Sequence, residues 1–243
     1  MGMPMSKAAV FLNNLLDLLY PPRCPLCQRI LVRKENLICP SCAGKIPFVR
    51  EPFCKCCGKP IQNYEKEYCS DCERGGHYFL EGRASCVYEK GMRHAVDRLK
   101  FYNRREYVPF FGRLLAMTAR EVFPLWKPSC IIPVPMHPQK RRIRGFDQSV
   151  LLARELSRLT GVPCRENLLV RTRFTKESKK LGREKRRKNM RNVFSCAYPA
   201  GNRVVLLDDI LTTGITMDEA SLALKKAGAG DIYFLTLCIG RGE

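Results

Sequence analysis

Apolar residues recur along this chain at two spacings, and the changes between them mark its organisation. Val10, Phe11, Leu15, Leu18 and Leu19 fall near one face of a helix over 6–19, which Ser6 can cap and Pro21-Pro22 ends. Such a face packs on its own protein or docks on a membrane or partner. Residues 24–72 show no period and are rich in turn formers. From about residue 83 the pattern becomes regular. A strand at Ala84–Tyr88 leads to helices over 91–100 and Val108–Val122, then to a short apolar strand at Ile131–Pro135. Gly145 breaks the chain and Asp147 can cap a helix over 148–160, with Val150, Leu151, Leu156 and Leu159 inward. Val204–Leu207 is wholly apolar and ends in two aspartates. A helix over Met217–Ala227 stops at Gly228, with Lys225 and Lys226 suited to its C-terminal dipole, and Ile232–Ile239 is the last strand. Strands alternating with helices predict an α/β fold with a parallel sheet and crossovers. The pattern divides the chain into an N-terminal helix (1–22), a cysteine-rich module (23–80) and an α/β domain (81–243).

No stretch approaches the ~20 apolar residues that would span a membrane. Val10–Leu19, broken by Asn13, Asn14 and Asp17 and lacking a small-residue cleavage site, does not read as a secretory signal.

Eight of the fourteen cysteines form four CxxC pairs: Cys24/Cys27, Cys39/Cys42, Cys54/Cys57 and Cys69/Cys72. Eleven residues separate Cys27 from Cys39, and eleven separate Cys57 from Cys69. A CxxC turn points two sulfurs at one tetrahedral ion, and two such turns close a site that leaves no position for water. This spacing, without an export signal, predicts structural zinc rather than disulfides. Two sequential sites, 24/27/39/42 and 54/57/69/72, are the expected grouping. A cross-braced pairing uses the same ligands, and Cys56 stands ready for a ligand swap. Each site contributes on the order of 10 kcal/mol to folding.

Charge changes the picture further. Forty-three Lys and Arg against twenty-three Asp and Glu leave a formal +20, which points to an anionic partner. The excess is clustered: residues 171–191 and 140–144 carry thirteen of the twenty net charges.

The most specific segment is Val204-Val205-Leu206-Leu207-Asp208-Asp209-Ile210-Leu211-Thr212-Thr213-Gly214-Ile215-Thr216. A buried strand runs into two acids, then a Thr/Gly loop, then a helix. Loop amides and threonine hydroxyls at a helix N-terminus cradle a phosphate. Two carboxylates at the strand end accept hydrogen bonds from vicinal ribose hydroxyls. This pattern resembles the phosphoribosyl pyrophosphate signature of type I phosphoribosyltransferases. The resemblance implies that Asp208 and Asp209 hold the ribose hydroxyls and act in catalysis, while Thr212, Thr213, Gly214, Ile215 and Thr216 form the 5′-phosphate loop. It further implies displacement of pyrophosphate at the anomeric carbon through an oxocarbenium-like state. Magnesium would neutralise the leaving group and the acids would stabilise the developing positive charge.

Leu99-Lys100-Phe101, Pro133-Val134-Pro135-Met136-His137-Pro138 and Arg144-Gly145-Phe146-Asp147-Gln148-Ser149 extend the likeness. With the phosphate loop and the CxxC module, they make nearly the whole chain from Cys24 onward similar to the ComF (competence protein F) family. That resemblance implies a type I phosphoribosyltransferase-like parallel sheet with flanking helices, plus a small N-terminal four-cysteine zinc-ribbon-like module. It also implies a bacterial cytoplasmic protein serving DNA uptake in natural transformation, with phosphoribosyl pyrophosphate or ribose phosphate, single-stranded DNA and the competence machinery as partners. Met136 and His137 would meet pyrophosphate, Lys100 and Arg144 would contact anions, and the basic stretch 172–190 would close over the substrate. The chain departs from the family at Asp147, where Asn is usual, and at Ser178, where Gln is usual.

Two functions fit. One is transfer of phosphoribose to a nitrogen nucleophile. The other is a non-catalytic single-stranded DNA adaptor, in which the clustered cations and the rings of Phe101, Tyr102, Phe146, Phe174 and Phe194 bind the strand.

Overall fold

The computed structural model describes residues 20–33, 35–174, 188–196 and 201–241. The helix expected over 6–19, and most of the basic stretch with Ser178, lie outside these residues.

Each CxxC turn in the first half of a ribbon is a backbone knuckle. Gln28 N–H donates to the Cys24 carbonyl at 2.9 Å, and Gly58 N–H to the Cys54 carbonyl at 2.8 Å. Both turning residues have positive φ, +66° at Gln28 and +70° at Gly58. The second half of each ribbon is a one-turn helix, α1 (Pro40–Ala43) and α2 (Ser70–Glu73). The two ribbons are thus one design used twice, thirty residues apart.

The α/β domain follows: β1 (Glu81–Val87), α3 (Lys90–Tyr102), a 3₁₀ turn (Arg105–Tyr107), α4 (Val108–Trp126), β2 (Cys130–Pro133), α5 (Pro138–Arg144) and α6 (Gln148–Thr160). Then come β3 (Leu169–Arg171), β4 (Phe194–Cys196), β5 (Arg203–Leu211), α7 (Ile215–Lys226) and β6 (Asp231–Ile239). The main sheet is parallel in the order β1-β6-β5-β2, while β3 and β4 form a separate antiparallel pair. Period-two alternation on β5 sends Val204 and Leu206 to one face and Val205 and Leu207 to the other. One face packs against α3, α4 and α6 through Val96, Leu99, Leu115 and Leu152. The opposite face packs against α7, the β3–β4 pair and the second ribbon.

The ribbons are bonded into this domain. Residues 47–49 run antiparallel to the outer edge of β1, with Val49 N–H on the Ser85 carbonyl at 3.1 Å and Val87 N–H on the Pro47 carbonyl at 2.7 Å. Gly82 N–H donates to the Cys56 carbonyl at 2.7 Å. The first ribbon sits on the helical side, where Gln28 Nε2 donates to the Tyr107 hydroxyl at 2.8 Å and Leu26 lies against Gly91. At the far edge, Ile131 N–H bonds to the Pro163 carbonyl and Arg165 N–H to the Ile131 carbonyl. Both edges of the sheet are therefore covered.

Several elements differ from the sequence pattern. Helix α4 continues past Val122 through Pro124, because Trp126 is buried by stacking on Tyr233 (4.8 Å between centroids) and by donating its indole N–H to Glu81 at 2.9 Å. Strand β5 runs through Asp208 and Asp209 to Leu211, since β6 continues to pair with it at Thr236, Cys238 and Ile239. The inward face of α6 is Ser149, Leu152, Ala153 and Leu156. Val150 and Leu151 are only half-buried and Leu159 is exposed, because the helix is turned to bring Ser149 to the sheet. The elements β3, β4 and α5 carried no periodic signal of their own.

Gly82 lies under the Phe234 ring, and a Cβ there would fall inside the ring's van der Waals envelope. Gly82→Ala is expected to lower stability by about 2–3 kcal/mol, read as the urea midpoint of the metal-loaded protein. An unchanged midpoint would show that the ring does not pack as described.

Candidate active site and metal centres

The eight paired cysteines gather into two sequential sets, Cys24/Cys27/Cys39/Cys42 and Cys54/Cys57/Cys69/Cys72. Sulfurs stand 3.6 Å apart at Cys27–Cys39 and 3.7 Å apart at Cys57–Cys69. Four sulfurs at the zinc–thiolate bond length form a tetrahedron with an edge of about 3.8 Å, so both sets fit zinc. The Ser41 hydroxyl beside Cys39 lowers its thiol to about 6, while burial raises Cys42 of the same set. Four sulfurs close each site, as in structural zinc centres.

A cleft of about 510 Å³ opens at the carboxyl ends of the strands. This is where ligands of open parallel sheets bind. Its floor is Asp208 and Asp209 at the end of β5, and Thr212, Thr213, Ile215 and Thr216 form one wall. Gly214, at φ +76°, occupies the N-cap of α7 and turns the strand into the helix, a conformation that suits glycine. It does not itself line the cleft.

The two carboxylates are held from three directions. Asp208 Oδ1 accepts from the Ser149 hydroxyl at 2.8 Å and from the Asp209 N–H at 2.8 Å. Lys100, on the last turn of α3, places its Nζ 2.8 Å from Asp209 Oδ2, and both side chains are largely buried. Burial, then the neighbouring Asp209 charge, push the Asp208 carboxyl up to about 7, against the opposing pull of Ser149 and Lys100.

Helix α6 ties this floor to the loop after β2. Asp147 caps the helix by accepting Ser149 N–H at 3.0 Å on Oδ1, while its Oδ2 accepts Met136 N–H at 2.9 Å. Asparagine would offer one acceptor oxygen, whereas Asp147 uses two, so an asparagine here could not accept both bonds. Burial raises the Asp147 carboxyl, and backbone N–H donors oppose that shift. Met136 lines the cleft. His137 does not: its Nδ1 accepts from Gln139 N–H to cap α5, and its ring meets Phe174 edge-on. Arg144 lines the cleft, bonded to Gln148 Oε1 at 2.6 Å with its guanidinium over the Phe101 ring.

Further wall residues are Tyr88 and Asp97, which the sequence did not mark, and Arg171 and Asn189, from the basic segment that it did. Tyr88 donates its hydroxyl to Asp97 at 2.8 Å. Asp97 lies one helical turn before Lys100, the single sequence cue available. Of the five rings considered for stacking, Phe101, Tyr102 and Phe174 are exposed. Phe146 and Phe194 belong to the core.

Known proteins resemble both parts of the chain. Residues 15–73 match the double zinc ribbon domain, and residues 147–243 match the phosphoribosyl transferase domain. The chain is 29% identical over 218 residues to competence protein F of Haemophilus influenzae, covering 81% of this chain and 94% of that protein. It is 28% identical over 219 residues to the DNA utilization protein YhgH of Escherichia coli K12, covering 88% and 89%. For competence protein ComFC of Bacillus subtilis the figures are 28% over 220 residues, with 85% and 86% covered. Among solved structures, adenine phosphoribosyltransferase of Leishmania tarentolae aligns with a TM-score of 0.36 and 18% identity, over 59% of this chain and 75% of that one. The resemblance to the ComF family is borne out, as is a phosphoribosyltransferase-like parallel sheet joined to zinc-ribbon-like modules.

The Asp208 shift has a consequence for stability. Between its ordinary value of 3.8 and about 7, the folded state keeps a proton that the unfolded chain has lost. Folding stability therefore falls as pH rises through that window. Asp208→Asn keeps an acceptor oxygen for Ser149 and removes the charge. The variant is expected to be more stable than the parent at pH 8 by on the order of 1–3 kcal/mol, with the gain shrinking as pH falls from 7 toward 4. Thermal unfolding across pH checks this, and a gain that does not change with pH would contradict it.

Proposed function

We propose that this chain, a homologue of competence protein F over most of its length, binds phosphoribosyl pyrophosphate or ribose phosphate in the cleft at the end of β5 and serves the handling of DNA taken up by a bacterial cell. The observation that carries the reading is the convergence on one cleft of Asp208, Asp209, the Thr212–Thr216 loop, Lys100 and Arg144. A paired acid floor suits the two hydroxyls of a ribose. A Thr/Gly loop leading into a helix N-terminus suits its 5′-phosphate. Cations on the opposite wall suit a pyrophosphate. The zinc ribbons (within 23–80) then brace the domain (81–243) that holds the site. The names of the relatives, competence proteins and DNA utilization proteins, support the role in competence and DNA utilisation. No helix among the described residues is long and apolar enough to cross a membrane, which agrees with the cytoplasmic setting we propose.

In this reading Lys100 leaves Asp209 when the ribose arrives, because the acid cannot serve both fully. Asp208 and Asp209 accept the ribose hydroxyls and lie near the carbon that becomes positive as pyrophosphate departs. The hard oxygen donors of the cleft floor suit magnesium, which would neutralise the pyrophosphate when bound with it. The Met136 loop, fixed by Asp147, would face the pyrophosphate. His137 would act through the cap of α5 rather than by contact. An enzyme of this kind is a type I phosphoribosyltransferase, with a nitrogen nucleophile as acceptor. Calorimetric titration of phosphoribosyl pyrophosphate with magnesium should show binding by the parent protein. Weakening by tenfold or more, about 1.4 kcal/mol, is expected in Asp208→Asn and Asp209→Asn. No heat from folded, zinc-loaded parent would overturn the reading.

A second reading, single-stranded DNA binding, is favoured by one observation. Phe101 and Tyr102 are 65% and 71% exposed beside the cationic wall, where bases can stack. Joint Phe101→Ala and Tyr102→Ala substitution should weaken binding of an oligo-dT by about tenfold or more, while Asp208→Asn leaves it intact. Unaltered affinity in the aromatic variant would argue against this surface.

A further inference from the structure

The second ribbon holds more ligand chemistry than one tetrahedral ion uses. Cys54, Cys57, Cys69 and Cys72 already complete a four-sulfur set. Cys56 and His77 stand outside it, yet one donor atom from each of Cys56, Cys72 and His77 lies within 4.8 Å of the other two. The imidazole is fixed. Its Nδ1 is 2.9 and 3.1 Å from the two carboxylate oxygens of Asp218, and its ring stacks on Phe79 at 4.7 Å. Facing a carboxylate, Nδ1 carries the proton and donates it. That leaves Nε2 with its lone pair, and Nε2 is buried with no hydrogen-bond partner among the described residues. A histidine whose one nitrogen is held by a carboxylate, while the ring sits among thiols, has the arrangement of a metal ligand.

We propose that the second ribbon binds two zinc ions, the second held by Cys56 Sγ, His77 Nε2 and a Cys72 Sγ that bridges both. The inference rests on the four-cysteine sets being zinc sites. Charge favours it. One zinc with four thiolates carries a net −2, and the second ion adds two positive charges with only one further thiolate, leaving −1. Three protein ligands leave a fourth position open, so this ion is exchangeable where the four-sulfur ions are closed. Asp218 lies in the first turn of α7, the helix entered from the Thr/Gly loop. The bridged ion is therefore one imidazole away from the element that would hold the 5′-phosphate.

Cobalt titration of the full-length, metal-free protein tests this, with zinc content by mass spectrometry as a second readout. The parent is expected to take up about three ions per chain. The first two should give the charge-transfer and ligand-field bands of four-sulfur sites, and the third should diminish the paramagnetic signal through the shared thiolate. Cys56→Ser and His77→Ala should each stop at about two ions with the four-sulfur bands intact. These variants leave both four-cysteine sets whole, so the bands report that the ribbons have folded. Saturation of the parent at two overturns the proposal and leaves the ribbon sites standing, with His77 then a hydrogen-bonding neighbour of the thiolates. A third ion retained by both variants overturns it as well. Loss of the four-sulfur bands in the parent would overturn the ribbon sites and this site together.

Discussion

Two carboxylates side by side at the buried end of a strand repel each other, and the cleft is organised around containing that repulsion. Asp208 and Asp209 lie on β5 just past the last residue that β2 pairs with, with little water to screen them. Each of the surrounding elements contributes one compensating group: Lys100 from α3, Ser149 from α6 and the Asp209 amide from the strand itself. Because Ser149 must reach Asp208, α6 is turned so that its first residues face the sheet. That turn brings Asp147 to the Met136 amide. The position of the β2 loop thus follows from the need to hold two acids. A site built this way is under electrostatic tension when empty, and a ligand that offers hydroxyls and positive charge relieves it.

The parallel sheet, its order of elements and the Thr/Gly loop were legible because they are local. A run such as Val204–Leu207 or a turn such as Thr212–Gly214 carries its signal within a few residues. The eight cysteines were legible for the same reason, and their repeated spacing agrees with the sequential grouping seen in the fold. What was not legible depends on partners distant in the chain. Strand β5 outlasts its apolar run because β6 goes on pairing beside it. Helix α4 outlasts Pro124 because Trp126 finds Tyr233 and Glu81. The β3–β4 pair consists of two three-residue strands separated by the basic stretch, too short for a period to show. Tyr88 enters the cleft through packing, and no pattern of neighbours announces it. His137 stood in a motif that drew attention, yet its side chain is spent on capping a helix. Phe146 and Phe194 illustrate the general ambiguity of aromatic residues, which serve cores more often than surfaces.

The ribbons and the α/β domain share more than a linker. The cysteines of the second ribbon belong to the same apolar cluster as Ala84, Leu206, Leu224 and Phe234. The first ribbon leans on the helices of the opposite face through Leu26, Leu37 and Ile38. The two ribbons therefore grip the sheet from both sides, and the segment between them is the one that runs along β1.

That strap along β1 has a bearing on how the protein survives in a cell. A parallel sheet whose outermost strand lacks a neighbour offers a row of free amides and carbonyls to any extended chain that drifts past. Here the neighbour is residues 47–49, strung between the two four-cysteine ribbons. A molecule short of zinc would present a bare edge and be marked, by its own stickiness, for chaperones and proteases. Metal supply would then set how many copies persist, a census taken at the level of the sheet rather than of the cleft.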